Sequence, residues 1–147
     1  MSVENEEHAN LLIEMAETIL HVARKLHAYS LQKQGITSLS SLEYLLILHI
    51  QRHPGVSPSD LAGELALRSS NAAAAIRGLT AKRLVERRGD SSDKRVVRLF
   101  LTSLAEEAIV NMRSSWTELL LQTDTRLDEL RSAVAVLTAI DIMLAEP

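Results

Sequence analysis

The feature that most constrains this chain is a change in the spacing of its apolar residues within residues 57–102. Up to Lys82 these residues recur every three to four positions, and beyond Arg83 they alternate with a period of two. The two alternating segments, 84–88 and 96–101, are separated by Gly-Asp-Ser-Ser-Asp, a run of turn-forming residues. The spacing therefore predicts helices followed by a β-hairpin with a charged tip.

Helix-capping signals predict where the helices of this region begin and end. Ser40 with Glu43 three residues later forms a capping box, and the helix that it starts ends at Pro54. Ser57, followed directly by a proline, caps a helix of about two turns. After a tight three-residue turn, a further helix runs from about Ser69 to Lys82. This order, two short helices and a charged hairpin, is typical of a winged helix-turn-helix.

Long amphipathic helices flank this region on both sides. Apolar residues recur at helical spacing from 11 to 31, in a helix that we expect to end near Gly35, and again in two helices after Thr102, which we expect to be a cap. The first and last helices carry apolar faces too wide for a chain of 147 residues to bury alone. We therefore predict a mainly α protein with long N- and C-terminal dimerisation helices, forming a homodimer.

Composition excludes several classes of protein. The chain contains no cysteine, which excludes disulfides, thiolate metal sites and cysteine nucleophiles. Aromatic residues make up only 3% of it, too few for a platform that stacks single-stranded bases. The first residues are acidic and no apolar run reaches about 18 residues, so we expect a cytoplasmic protein without a membrane partner.

The charge of the chain is unevenly distributed. The whole sequence has a formal net charge of −3. Residues 57–102 alone carry nine basic and five acidic side chains, so the flanking helices are acidic and the middle is basic. A concentrated basic segment of this kind is typical of a surface that contacts nucleic-acid phosphates.

Three motifs mark the hairpin: Leu-Val-Glu-Arg at 84–87, Asp-Ser-Ser-Asp-Lys-Arg at 90–95 and the Leu-Thr that ends at Thr102. With them, residues 39–102 resemble the MarR (multiple antibiotic resistance regulator) family of transcription factors. It implies a ligand-responsive homodimeric repressor of a pseudo-palindromic operator, with a DNA-binding domain at 37–102 and a helical dimerisation domain formed by 1–36 and 103–147. This chain departs from the family in having Arg83 and Ala105 where glycine is common, and alanine at 72–75 of the recognition helix.

The recognition helix and the wing supply the candidate contacts to double-stranded DNA. An arginine at a hairpin tip fits insertion into a narrow minor groove, and Asp93 is placed to brace it by a charged hydrogen bond. Ser and Asn at a helix start either contact bases or act as caps, and the exposed alanines either touch thymine methyl groups or simply favour the helix. The predicted DNA-binding residues are Arg68, Ser69, Ser70, Asn71, Ala73, Ala74, Arg77, Lys94 and Arg95.

The resemblance also implies a site for a small aromatic or anionic effector between the dimer helices and the winged domain. Five residues fall in that region of the sequence, although core packing explains each of them equally well. They are His27, Tyr29, Tyr44, Arg113 and Trp116.

Neither a cofactor, a metal site nor catalysis is predicted. The chain lacks a glycine-rich phosphate loop, Gly-x-Ser-x-Gly and His-Glu-x-x-His. His21 lies four residues after Glu17 on a predicted helix, and such a pair is more often a helix contact than a metal site. The alternative to a DNA-binding regulator is a winged-helix module that binds protein with little or no affinity for DNA, which the alanine-rich helix favours.

Overall fold

A computed structural model describes residues 3–33 and 38–145, and it has the predicted mainly α, winged-helix architecture. The elements follow in the predicted order, although the first helix begins earlier than residue 11, and its expected end near Gly35 lies outside the described residues. They are α1 Val3–Gln32, α2 Ser41–Arg52, α3 Pro58–Glu64, α4 Ser69–Ala81, β1 Val85–Gly89, β2 Val97–Leu101, α5 Ser103–Leu120 and α6 Leu127–Ala145.

The chain divides into two compact units, one within residues 1–38 and one within residues 39–147. The first unit is the single helix α1, and the second contains all the other elements. The predicted grouping of α1 with α5 and α6 in a dimerisation domain remains a prediction.

The predicted caps form in the second unit and fix where its helices begin. Ser40 and Glu43 make both hydrogen bonds of the capping box at the start of α2. The Ser57 hydroxyl accepts a hydrogen bond from the backbone of Asp60 at the start of α3, and Thr102 does the same for Ala105 at the start of α5. Each bond satisfies a backbone N–H group that has no partner within the helix.

The two strands form an antiparallel hairpin in which Arg87 lies opposite Leu99. The hairpin is joined to the helices by backbone hydrogen bonds at its base. Leu99 donates to Val56 and accepts from Gly55, and the backbone N–H of Thr102 donates to Leu84. These bonds fix the position of the wing relative to the α2–α3 connection.

The core of the second unit lies among α2, α3, α4, the hairpin and the first half of α5. The apolar residues that it buries almost completely are Leu39, Leu46, Ile47, Ile50, Leu61, Leu79, Leu84, Leu99 and Ile109. By contrast, α6 contains no buried residue, and Leu144 is 70% exposed. Large apolar side chains of α1 are also exposed, including Leu11 and Leu20. No helix in the described ranges is long and apolar enough to span a membrane.

Candidate nucleic-acid interface

Helix α4 divides cleanly into a buried and an exposed face. Ala72, Ile76 and Leu79 are buried at helical spacing and attach the helix to the core of the second unit. The residues predicted to contact DNA from this helix and the turn before it are all exposed. They are Arg68, Ser69, Ser70, Asn71, Ala73, Ala74 and Arg77.

The polar residues at the start of α4 were predicted either to cap the helix or to contact bases. The N-cap residue is Arg68, and no side chain caps the helix. Among the described residues, the side chains of Ser69, Ser70 and Asn71 form no hydrogen bond. The capping alternative is therefore not realised in this structure, and the hydroxyl and amide groups of these residues face solvent.

Close packing against α2 sets the position of α4. A Cβ atom at Gly78 would lie 2.6 Å from Oε1 of Glu43, so only glycine allows this approach without displacing the carboxylate. Lys82 Nζ, at the C-cap of α4, donates a hydrogen bond of 2.7 Å to Oε2 of the same carboxylate. Burial raises the pKa of Glu43, but the bonds from Lys82 and from the Ser40 backbone outweigh this, and the net pKa is lowered.

Asp90 organises the tip of the wing. Its Oδ1 accepts hydrogen bonds of 2.8 Å from the Ser92 backbone and 2.6 Å from the Ser92 hydroxyl, and Oδ2 accepts one of 2.8 Å from Arg98 Nε. These donors hold the pKa of the Asp90 carboxyl well below its usual range. The tip is therefore a turn built around one ionised carboxylate.

The wing is also attached to the α2–α3 connection through side chains. Arg98 Nη1 donates to the carbonyl oxygen of Gly55 at 3.3 Å, in addition to its bond with Asp90. The guanidinium of Arg88 lies over the ring of Phe100, 4.6 Å from its centroid, and the same ring lies against Gly55. Arg98 and Phe100 thus attach the hairpin to the α2–α3 connection, whereas Arg88 packs on Phe100 within the hairpin.

Asp93 supports Arg95 in a different way from the one predicted. Its Oδ1 accepts a hydrogen bond of 2.9 Å from the backbone N–H of Arg95, not from the guanidinium. The carboxylate fixes the backbone of the turn, and the exposed guanidinium makes no ion pair with another described residue. The physical reason is local: a side-chain oxygen two residues before an N–H closes an Asx turn without bending a long side chain back.

The basic residues of the winged domain fall into two groups. Lys82, Arg88 and Arg98 are paired with Glu43, Glu86 and Asp90, respectively. The second group forms no ion pair within residues 3–33 and 38–145, and it comprises Arg68, Arg77, Arg83, Arg87, Lys94 and Arg95. It includes every basic residue that is predicted to contact DNA.

Three of the five residues predicted to bind an effector come together in the second unit. The rings of Tyr44 and Trp116 pack edge to face with centroids 5.1 Å apart. The Tyr44 hydroxyl is buried without a hydrogen-bond partner among the described residues. Burial raises the pKa of Tyr44 and the nearby Arg113 guanidinium opposes that shift, while Arg113 donates to Gln51 Oε1 at 3.1 Å. His27 and Tyr29 lie on α1, in the other unit.

One cluster of chemically active side chains was missed by the sequence analysis. His49 and His53, from α2 and its C-cap, lie beside Glu64 at the end of α3. The sequence signal was the four-residue spacing of the two histidines. Helical spacing relates a histidine only to carboxylates of its own helix, whereas Glu64 belongs to the next helix.

The chain is similar in sequence and fold to known transcriptional regulators. A family model described as MarR family matches residues 34–96. A solved MarR transcriptional regulator from Methanosarcina mazei Go1 is 21% identical, with a TM-score of 0.68 over 88% of this chain and 97% of that one. The transcriptional regulator BldR from Sulfolobus solfataricus is 22% identical, with a TM-score of 0.64 over 95% and 99% of the two chains.

A third similar structure contains nucleic acid. It is a MepR mutant from S. aureus bound to an oligodeoxyribonucleotide, 20% identical to this chain, with a TM-score of 0.60 over 90% of this chain and 97% of that one. At these identities the solved structures establish a shared fold. No protein of curated function matches the sequence significantly.

Proposed function

Because a MarR family model matches residues 34–96 and the fold is that of solved MarR regulators, we propose that this chain is a MarR-family transcriptional regulator that binds double-stranded DNA. The similar structures reported above are transcriptional regulators, which supports the prediction that the chain is not an enzyme. The observation that carries the proposal is the exposed basic surface of α4 and the wing, whose cations form no ion pair with any residue that the structure describes. Cations that are not already paired with a carboxylate are available to neutralise DNA phosphates.

In the proposed complex, α4 enters the major groove and the wing tip reaches the adjacent minor groove. Ser70, Asn71 and Arg77 read base edges, and Ala73 and Ala74 contact thymine methyl groups. Arg68 and Lys94 contact phosphates, and Arg95 enters the minor groove. The similar MepR mutant, solved with an oligodeoxyribonucleotide, supports this use of the fold.

We further propose that the regulator acts as a homodimer. The apolar side chains exposed on α1 and α6 support this proposal, because a single chain leaves them in water. A two-fold partner covers the same faces of both chains and places two copies of α4 on the half-sites of a pseudo-palindromic operator. By the family resemblance, we propose repression as the outcome of binding.

The effector site is the part of the proposal that concerns regulation. We propose that Tyr44, Trp116 and Arg113 contribute to a site for a small aromatic anion. The same role for His27 and Tyr29 of α1 rests on the family resemblance alone. The buried Tyr44 hydroxyl is suited to hydrogen-bond a carboxylate or phenolate, and the nearby Arg113 guanidinium is suited to neutralise its charge. The edge-to-face ring pair is suited to contact an aromatic ring.

The test is a titration of two duplexes at several salt concentrations. One duplex is selected by the protein from a random library, and the other is a scrambled version of it. We expect tighter binding of the selected duplex, and a logarithmic salt slope that decreases by about 0.9 for each phosphate neutralised. Arg95→Ala is expected to weaken binding by roughly 1 to 3 kcal/mol.

The matched control is Arg126→Ala. Arg126 is an exposed arginine that pairs with Asp128, outside the winged domain, so this variant loses the same charge without touching the proposed surface. Equal effects of the two substitutions would remove Arg95 from the interface. Salt-insensitive binding, or no selection of any duplex, would instead favour the winged-helix module that binds protein.

A further inference from the structure

Three side chains at the corner between α2 and α3 form a cluster of metal-ligand type. His49 lies in the last turn of α2, His53 is its C-cap residue, and Glu64 is the last residue of α3. One ligand atom from each of them lies within 4.8 Å of the others. We propose that this corner binds a divalent transition-metal ion, with Zn²⁺ as the representative, through the two imidazoles and the carboxylate.

The three side chains are already in contact with one another. Nε2 of His49 and Oε2 of Glu64 are 2.5 Å apart, and the centroids of the two imidazole rings are 4.6 Å apart with the planes tilted by 32°. Two ligands of one Zn²⁺ ion, each about 2.0 to 2.2 Å from it, are at most about 4.4 Å apart. The ligand atoms lie within 4.8 Å of one another, slightly above this limit, and the exposed side chains of His53 and Glu64 are the ones that would adjust on binding.

The chemistry of the three ligands selects the class of ion. Imidazole nitrogen suits zinc, copper and nickel, whereas calcium and magnesium prefer sites made of oxygen ligands. Two histidines and one glutamate are a known three-ligand set for zinc, and the fourth position of the ion stays open to water. The site is at the C-terminal end of α2, where the helix dipole also favours a cation.

An ion at this corner would stabilise the winged domain. The ion joins α2 to α3 immediately before the turn that leads into α4, so that it bridges two helices of the winged domain. An ion that binds the folded chain and not the unfolded chain stabilises the fold in proportion to the logarithm of its concentration. This inference does not depend on DNA binding, since it concerns groups that take no part in the proposed DNA contacts.

The experiment is calorimetric titration of the full chain, freed of metal with a chelator, with Zn²⁺ alone. We expect one ion per chain, and a loss of affinity of at least about tenfold for His53→Gln and for Glu64→Gln. Both side chains are exposed, so the variants are expected to fold, which circular dichroism verifies. The matched control is His21→Gln, which removes an exposed histidine with Glu17 one turn away on α1.

A second measurement keeps the test independent of stability. In the wild type, the imidazole NMR signals of His49 and His53 are expected to shift together as Zn²⁺ is added, before those of the other histidines. Absence of Zn²⁺ binding to the wild type would overturn the proposal. So would an unchanged affinity in both cluster variants, or an equal loss in the His21→Gln control.

Discussion

Lys82 Nζ and Glu43 Oε2 are joined by a hydrogen bond of 2.7 Å that links the C-cap of α4 to the first turn of α2. The carboxylate also accepts a bond from the backbone N–H of Ser40, and it is closely packed against Gly78. One side chain thus caps α2 and sets how closely α4 approaches it. Because α4 carries the proposed base contacts, this carboxylate couples the stability of the fold to the position of the recognition helix.

The first prediction concerns pH. The pKa of Glu43 is lowered from its ordinary value of 4.5, so its contribution to stability is present above that value and is lost as the pH falls through the lower pKa of the folded state. We expect Glu43→Gln to reduce the free energy of unfolding near neutral pH, and this difference from the wild type to shrink under acid conditions. Urea denaturation across this range is the measurement. Glu107→Gln, an exposed carboxylate on α5, is the control, and a difference that does not vary with pH would contradict the prediction.

The second prediction concerns two alanines with opposite conformations. Ala66, after α3, has a φ of 50°, whereas Ala74 lies within α4. Since an L-residue in the left-handed region is strained by roughly 1 kcal/mol, Ala66→Gly is expected to stabilise the fold by about 0.5 to 1 kcal/mol. The same substitution at Ala74 is expected to destabilise it by about 1 kcal/mol. Chemical denaturation of both variants checks this, and a loss of stability at position 66 would show that the strain is absent.

Arg83 is in the same left-handed conformation as Ala66, with a φ of 59°. Glycine is common at this position in the family that the sequence resembles. The departure therefore coincides with backbone strain at the entry to the hairpin. The carbonyl oxygen of Arg83 accepts a hydrogen bond of 2.8 Å from the Thr102 hydroxyl, which helps to hold this conformation.

The parts of the fold that the sequence predicted are those governed by local chemistry. The capping box at Ser40, the cap at Ser57 and the hairpin depend on residues within a few positions of one another, and a single sequence contains that information. The exposed face of α4 followed from its periodicity in the same way.

The parts that could not be predicted join residues distant in sequence. Glu43 and Lys82 are 39 residues apart, and His49 and Glu64 are 15 apart on different helices. Which arginines are paired and which are free depends on such tertiary contacts, so charge counting could not separate Arg98 from Arg95. The same limit explains why the carboxylate beside the two histidines was overlooked.

The third prediction concerns the wing. Asp90→Ala removes the acceptor shared by Ser92 and Arg98, so the tip loses its fixed conformation. We expect a measurable loss of binding free energy for the selected duplex, up to about 1 kcal/mol and smaller than the loss for Arg95→Ala, because the charge of Arg95 remains. Asp124→Ala, an exposed residue between α5 and α6, makes the same charge change and is the control. Fluorescence anisotropy measures both, and unchanged affinity for Asp90→Ala would show that the turn does not position Arg95.

The fourth prediction concerns assembly. The full chain is expected to sediment as a dimer, and a chain truncated before Leu127 is expected to aggregate or unfold, because the apolar face of α1 is left in water. Val134→Asp, at a side chain of α6 that is 61% exposed, is expected to weaken the dimer without breaking a core contact. Sedimentation velocity distinguishes the states. A well-folded monomer from the full or the truncated chain would contradict the proposed homodimer.

The last prediction concerns specificity. Ala72 to Ala75 offer no side-chain hydrogen bond, so base reading rests on Ser70, Asn71 and Arg77, with groove width sensed by Arg95. Arg77 is exposed, unpaired among the described residues and two turns into α4. If Arg77 contacts a base, Arg77→Ala reduces the binding free energy for the selected duplex by about 1 to 3 kcal/mol, and that for the scrambled duplex by clearly less. The matched control is Arg87→Ala, since Arg87 is an exposed arginine of β1. We expect this variant to change the affinity for the two duplexes by the same amount, or not at all. Titration of both duplexes at one salt concentration measures the difference, and equal losses for Arg77→Ala would make this residue a phosphate contact.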